Sequence, residues 1–380
     1  MRQKYLTLMG LIFAAAPSFA QEVRYVTGAA ANGSSDDTLA IQRAIDALPE
    51  WGVLDGSGRT FAVGSLQVKS RMTLRNFNLL TVPTSIPLTS PVTIDGTMTR
   101  KEDITVQNVN VDGRRGQQTN LASVEDGGRD GFRIVGKARN IWIVNSSAVN
   151  CATDGLKIFS ASYLSGDDNV LNFENIWVMN SRFERNRRHG VSVDSLRNVH
   201  FIGDVFNDNG IASGNNGTEG ERAFLFQGRL YGAGLTVEGY GVGSGVDGLT
   251  IQNSTAKRNA RFGIQFWNPT APSAPRSRPW QSIRVESCSI DGGVSTDHGR
   301  QAIEFSTADS FFGSGYVFSN VTLSGNTIAG TVIIKASTDV RIVGGAVTSP
   351  YIGFYGGAIA SRNVTAQGVS SQNKAFVMQQ

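Results

Sequence analysis

One short pattern recurs along almost the whole chain: an apolar residue, any residue, a second apolar residue, any residue, then Asn, Gly or Ser. Its copies run Met72 to Asn76, Ile104 to Asn108, Ile141 to Asn145, Ile176 to Asn180, Val199 to Gly203 and Leu249 to Asn253. They continue from Ile283 to Ser287, Val321 to Gly325 and Val340 to Gly344, with a weaker last copy from Val364 to Gly368. Period two within a copy predicts a strand with one buried face. Copies spaced by tens of residues predict a solenoid, because no single rung can bury its own apolar side and the rungs must stack. Asn at the end of a strand suits a tight bend, since it tolerates left-handed backbone and can bond its neighbours in a ladder. Asn145 and Asn253 also open Asn-x-Ser/Thr sequons. A buried ladder would make those sequons coincidental.

A second alternating segment recurs between these copies. It reads Gly131 to Val135, Gly155 to Phe159, Gly190 to Asp194, Ala223 to Gln227, Gly263 to Trp267 and Ala302 to Ser306. Two or three strands per turn predict an all-β chain: a single-stranded right-handed parallel β-helix. The 44 glycines and the 17% of charged residues favour short strands and turns over long helices. Ser35-Asp36-Asp37 precedes Leu39, Ile41, Ala44, Ile45 and Leu48, which share one helical face. This predicts a short N-terminal helix, N-capped by Asp, over the open apolar end of the solenoid.

Residues 1–20 have the form of a signal peptide. Arg2 and Lys4 precede an apolar run from Leu6 to Ala16, and Ser18-Phe19-Ala20 supplies small residues before Gln21. Residues 21–380 are then one β-helix domain, periplasmic or secreted, with no later stretch apolar enough to span a bilayer. The net charge of +4 falls to +2 without Arg2 and Lys4. That suits an acidic substrate without requiring one and is too weak to suggest nucleic acid. Cys151 and Cys288 lie far apart and make no metal pattern. They read as buried small residues rather than a disulfide.

The segment Asn32-Gly-Ser-Ser-Asp-Asp37-Thr-Leu-Ala-Ile-Gln42-Arg-Ala-Ile-Asp46 resembles the opening motif of the pectate-lyase-like superfamily. Val53-Leu-Asp-Gly-Ser-Gly58, with Phe61 and Leu66 to Leu74, resembles its first strands. The resemblance covers about residues 24–370. It implies a right-handed parallel β-helix and a polysaccharide partner. The superfamily includes pectate lyases, polygalacturonases, alginate lyases and epimerases, and phage tailspikes, so it does not imply one reaction. Asn150, Thr153-Asp154-Gly155, Asp167-Asp168 and His189-Gly-Val-Ser-Val193 resemble the polygalacturonase set, with Arg188 where that family has Gly.

Long insertions flank the second strand on both sides, at 113–129, 210–221 and 292–300 and at 160–174, 228–247, 268–281 and 307–319. A sheet walled by loops is a groove, and loops on a rigid scaffold commonly carry function. Stacking the six segments points Phe132, Leu156, Val191, Phe224, Ile264 and Ile303 inward. The residues opening the strands are then Asp130, Asp154, His189, Arg222, Phe262 and Gln301. Two outward columns follow: Arg133, Lys157, Ser192, Leu225, Gln265, Glu304, and Val135, Phe159, Asp194, Gln227, Trp267, Ser306.

Asp154, His189, Lys157, Asp130 and Arg222 are the expected catalytic residues. Arg133, Asp194, Trp267, Gln265 and Glu304 are the expected substrate contacts. Carboxylates can protonate a leaving oxygen or act as base. Cations can neutralise a uronate and make its α-proton removable. Ca2+ is a candidate ligand of Asp167 and Asp168, with Asp126 and Asp130 nearby. His200, His298, Trp142 and Trp177 read as structural, the two tryptophans as outward packing. The expected function is cleavage of an acidic polysaccharide, with β-elimination by Lys157 or His189 ahead of hydrolysis by Asp154 with Asp130 or Asp168. A C5-epimerase and a non-catalytic glycan-binding or structural β-helix are the alternatives.

Overall fold

The computed structural model describes residues 21–83, 90–119, 129–159, 172–213, 222–223, 225–226, 229–239, 245–268, 280–294, 300–307, 317–348, 352–355, 361–371 and 376–379. The signal-peptide segment therefore lies outside the described residues, as do Asp126, Asp167, Asp168 and His298.

The described chain winds into a right-handed parallel β-helix. Each copy of the short pattern is a strand laid parallel on the copy before it. Met72, Ile104, Ile141, Ile176, Val199, Leu249, Ile283, Val321 and Val340 form one column. Leu74, Val106, Ile143, Val178, Phe201, Ile251, Val285, Leu323 and Ile342 form the next, two residues on. Both columns are buried along their length. Each such side chain contributes about 1.5–3 kcal/mol by leaving water, and the alternation dictates which face enters the core.

The residue closing each copy turns the corner with left-handed backbone. Asn76, Asn108, Asn145, Asn180, Asn253 and Ser287 have φ between +49° and +59°, and glycines 203, 325, 344 and 368 take the same role. That geometry penalises a Cβ, so Asn or Gly recurs there. The corner is not buried, however. Asn145, Asn180 and Asn253 are exposed, so burial gives no reason to set the two sequons aside.

The buried ladder is at the next bend. Asn186 Nδ2 donates to Asn209 Oδ1 at 3.1 Å, and Asn209 Nδ2 donates to Asn259 Oδ1 at 3.0 Å, all three fully buried. A parallel run joins Ser181 N–H to Asp204 Oδ1 at 2.7 Å and Asp204 N–H to Ser254 Oγ at 3.0 Å. Burial pushes the Asp204 carboxyl well above the usual range, and its Oδ2 has no hydrogen-bond partner.

Helix α1, Thr38–Ala47, caps the end and buries Ile41 and Ile45. Leu39 departs from the expected buried face and is 62% exposed. Asp37 holds the N-cap position without capping α1; it accepts the Ala30 and Ala31 N–H groups at 2.7 and 3.1 Å. The first-turn amide of Thr38 is taken instead by Asp36 Oδ1 at 3.0 Å. Cys151 and Cys288 are buried and unbridged. No helix among the described residues is long and apolar enough to cross a membrane.

Candidate functional site

The second sheet stacks as expected except at one rung. Leu156–Phe159 lies on Phe132–Val144, and Val191–Val193 lies on Leu156–Phe159. The next rung is Ala233–Glu238, with Leu235 on Val191, and Phe262–Asn268 and Gln301–Thr307 follow. Leu225–Phe226, within the expected strand, is not in this stack. Leu225–Phe226 pairs antiparallel with Arg229–Leu230, and Leu225 is 53% exposed.

The two segments differ in pattern: Phe224-Leu225-Phe226 is an unbroken apolar run, whereas Leu235-Thr236-Val237-Glu238 alternates strictly, so the period favours the second. Its glycine suits the stack as well. A Cβ at Gly234 would meet Gly263 O at 2.7 Å and Asn259 Nδ2 at 2.8 Å, and Gly155 and Gly190 are crowded in the same way. Glycine is needed at positions 155, 190 and 234, where the next backbone closes in; Ala302 holds the same column only where the register of the following rung shifts. Arg222 therefore leaves the opening column, Ala233 replaces it, and Thr236 and Glu238 enter the outward columns in place of Leu225 and Gln227.

Asp130, Asp154 and His189 open successive rungs, as expected. All three are buried, at 1%, 0% and 0% exposure. Arg188 grips Asp154 with both ends of its guanidinium, Nε to Oδ1 at 2.8 Å and Nη2 to Oδ2 at 2.5 Å, and the His189 N–H adds a bond at 3.0 Å. Burial alone would raise the Asp154 pKa. The charge and hydrogen bonds of Arg188 outweigh it and hold the carboxyl well below the usual range. Asp130 accepts from Thr153 Oγ1 at 2.6 Å and from Arg133 at 3.2 Å.

His189 is locked in one tautomer. Its Nδ1 accepts the Ala233 N–H at 2.9 Å, so the neutral ring carries its proton on Nε2. That Nε2 is buried, has no hydrogen-bond partner and lies 3.9 Å from Glu238 Oε1. Burial drives the ring down to about 3, against the pull of Asp154. A neutral ring with both nitrogens so disposed can donate a hydrogen bond but has no free lone pair, so the expected role of His189 as a base does not fit this geometry.

Lys157 and Glu238 sit differently. Each keeps a small exposure, 5% and 6%. Burial lowers the Lys157 pKa, and Arg188 lowers it further against three nearby carboxylates. Burial raises Glu238, opposed by Arg188 and by the hydroxyl of Tyr231, which donates to Oε1 at 2.9 Å. Both groups are thus shifted toward their neutral forms. The Lys157 ammonium also lies 5.0 Å from the Phe159 ring, and the Arg133 guanidinium lies 5.9 Å from it.

The expected substrate contacts spread along the same face. Asp194 is buried and near enough to Lys157 to raise its pKa. Gln265 Nε2 donates to Glu304 Oε2 at 2.9 Å, and burial raises the Glu304 pKa. Trp267 is half-buried beside Glu238 in the register.

Arg188, Glu238, Tyr231 and Arg261 were not among the residues expected from the sequence. Arg261 lies half-buried with its guanidinium 5.8 Å from the Tyr231 ring. A signal existed for two of them: Arg129, Arg188, Arg261 and Arg300 each immediately precede the residue that opens a rung.

Among the described residues no three His, Cys, Asp or Glu side chains gather as a metal cage. The Ca2+ expectation falls on Asp167 and Asp168, with Asp126, all outside the described residues; of its members only Asp130 is described, and it accepts from Thr153 and Arg133.

No protein-family model matches the chain, and no curated protein matches it in sequence. Among solved structures it is similar to the A-module of mannuronan C-5 epimerase AlgE4 from Azotobacter vinelandii. That match has TM-score 0.55 and 16% identity over 93% of this chain and 98% of the other. It is also similar to the A-module of the AlgE6 epimerase of the same organism, with TM-score 0.54 and 16% identity over 93% and 96%. A third match is the N-terminal fragment of gene product 12 of bacteriophage Phi29, with TM-score 0.53 and 16% identity over 97% and 69%. At such identities the likeness shows a shared fold, the parallel β-helix that the repeat predicts.

Proposed function

We propose that this chain is an exported enzyme that cleaves an acidic, uronate-containing polysaccharide by β-elimination. One observation carries the reading. Lys157 and Glu238, two rungs apart on the outward face of one sheet, keep a narrow exposure, while burial shifts the amine's pKa down and the carboxyl's up. Titratable groups shifted in these directions on one face suit proton transfer. A merely structural patch would be more stable if apolar.

In the proposed step the neutral Lys157 amine takes the C5 proton of the uronate. The C5 electron pair forms the C4–C5 double bond, and the C4–O bond breaks. Glu238 gives its proton to the departing oxygen. Lys157 ends as ammonium and Glu238 as carboxylate, and proton exchange restores both. Arg133 and Arg261, both half-buried, are placed to face the uronate carboxylate as its charge grows. Asp154, Arg188 and His189 lie beneath and act as positioning residues, with His189 Nε2 3.9 Å from Glu238 Oε1.

Incubation with polygalacturonate, alginate and a glucuronate polymer tests this. β-Elimination leaves a double bond conjugated to the carboxylate, read by its ultraviolet absorbance, together with shorter chains. New reducing ends without that absorbance identify a hydrolase instead. Changed uronate configuration at constant length identifies a C5-epimerase, which begins with the same proton abstraction and is the activity named for two of the similar structures. Binding without any product identifies a non-catalytic glycan-binding β-helix.

A further inference from the structure

A groove lies on another face of the β-helix, outside the cluster just described. It has a volume of about 430 Å3 and is walled by Trp51 and Trp142, with Arg75, Asp103, Thr105 and Gln107 among its lining. That volume is in the range of small-molecule sites. Trp51 is 50% exposed and has φ +63°. A bulky side chain is rare in that conformation, and the backbone alone would be better served by Gly or Asn. Neither core packing nor the turn explains a tryptophan there.

Trp142 stands in a column of outward residues that runs Thr73, Thr105, Trp142, Trp177, His200. Trp177 and His200 are stacked at 3.8 Å, which extends the aromatic track beyond the groove. The Trp177 indole N–H donates to Asn175 at 2.8 Å, whereas the Trp142 indole nitrogen is buried with no partner.

The polar lining is balanced in charge. Arg75 donates to Asp55 at 2.7 Å, and Asp103 accepts from Asn140 at 2.8 Å. Nothing in the groove therefore selects an anion. Thr and Gln side chains in one lining with two indoles suit a ligand with hydroxyls around its rim and C–H bonds on its faces, because the negative π-face attracts the C–H dipoles.

We infer that this groove is an accessory glycan-binding site that takes neutral, hydroxyl-rich pyranose chains against Trp51 and Trp142. It would hold the protein on a neutral polymer independently of the Lys157–Glu238 cluster.

Affinity electrophoresis of the full chain tests it, in gels containing dextran, starch, galactomannan, polygalacturonate or alginate. The expected result is retardation by at least one neutral glycan, weakened tenfold or more in Trp51→Ala and Trp142→Ala and retained in Trp51→Phe and Glu238→Gln. Trp51→Gly is a second variant, since it suits the backbone better than Trp yet removes the ring; it too should lose retardation while keeping the wild-type melting temperature. The proposal is overturned if no neutral glycan retards the wild type, or if Trp51→Ala and Trp51→Gly run as the wild type does. Retardation by acidic polymers alone, unchanged in the Trp51 variants, also overturns it and reports on the other groove. Failure of the β-elimination reading would leave these outcomes unaffected.

Discussion

At the scale of single residues, the cluster separates groups that can react from groups that hold them. Glu238→Gln removes the transferable proton but keeps the shape and the Tyr231 hydrogen bond. It should lower kcat by about 10²–10⁴-fold with KM little changed, as measured by the rate of unsaturated product. The lowered Lys157 pKa makes the rate rise as pH passes that pKa and the amine loses its proton. Loss of the Glu238 proton, whose pKa is raised, makes the rate fall again on the alkaline side. Glu238→Gln should abolish the alkaline limb and leave the acid limb in the residual rate.

Arg188→Ala leaves Asp154 buried and ionised without its partner. It should cost about 3–5 kcal/mol in denaturant unfolding, with partial recovery in Arg188→Ala/Asp154→Asn. The depressed folded pKa of Asp154 adds stability above its unfolded value near ~4. That contribution shrinks as pH falls below this value. Asp204 has the opposite sign. Its raised folded pKa means that stability is complete at acid pH and is lost as pH rises through the folded value. At neutral pH Asp204→Asn should therefore stabilise by about 1–3 kcal/mol, read as a higher melting temperature. The new amide would reach a carbonyl of the rung below, as Asn326 Nδ2 reaches Val285 O at 2.7 Å.

At the scale of elements, the rung at Ala233–Glu238 shows how the stack chooses its strands. The competing segment near Ala223 breaks the alternation at Phe224-Leu225-Phe226 and lacks a glycine where the neighbouring carbonyl approaches. Gly234→Ala should thus be poorly tolerated, because backbone rather than a flexible side chain blocks the added carbon. The Asn ladder acts at the same scale. Asn209 receives the Asn186 amide, donates to Asn259 and to Phe183 O, and is fully buried. Truncating it strands several buried groups, at about 1–3 kcal/mol each. Asn209→Ala should melt well below the wild type, and Asn209→Asp should lose stability further as pH rises.

At the scale of the molecule, the solenoid is a stack of nearest-neighbour contacts, so distant rungs should be energetically independent. Ile104→Ala and Leu323→Ala sit six rungs apart, roughly 29 Å at the inter-strand spacing. Each should cost about 2–5 kcal/mol, and the double variant should match their sum within about 0.5 kcal/mol. Larger non-additivity in urea unfolding would contradict the nearest-neighbour picture. What the sequence determined alone was the solenoid, its inward columns, its left-handed corners and its capping helix. Each follows from local rules: period-two alternation, the steric cost of a Cβ at positive φ, and one amphipathic turn. The meeting of Asp130, Asp154, Lys157 and His189 on one sheet was also legible, because equal strand offsets carry register from rung to rung. What only the tertiary structure decided was which of two candidate segments filled the fourth rung, and with it the place of Glu238. It also decided the bond that disarms His189 as a base, the grip of Arg188 on Asp154, and the presence of Trp51 and Trp142 in one groove lining. Those facts depend on which atoms stand one rung above or below, and a neighbour a rung away can be fifty residues distant in the chain.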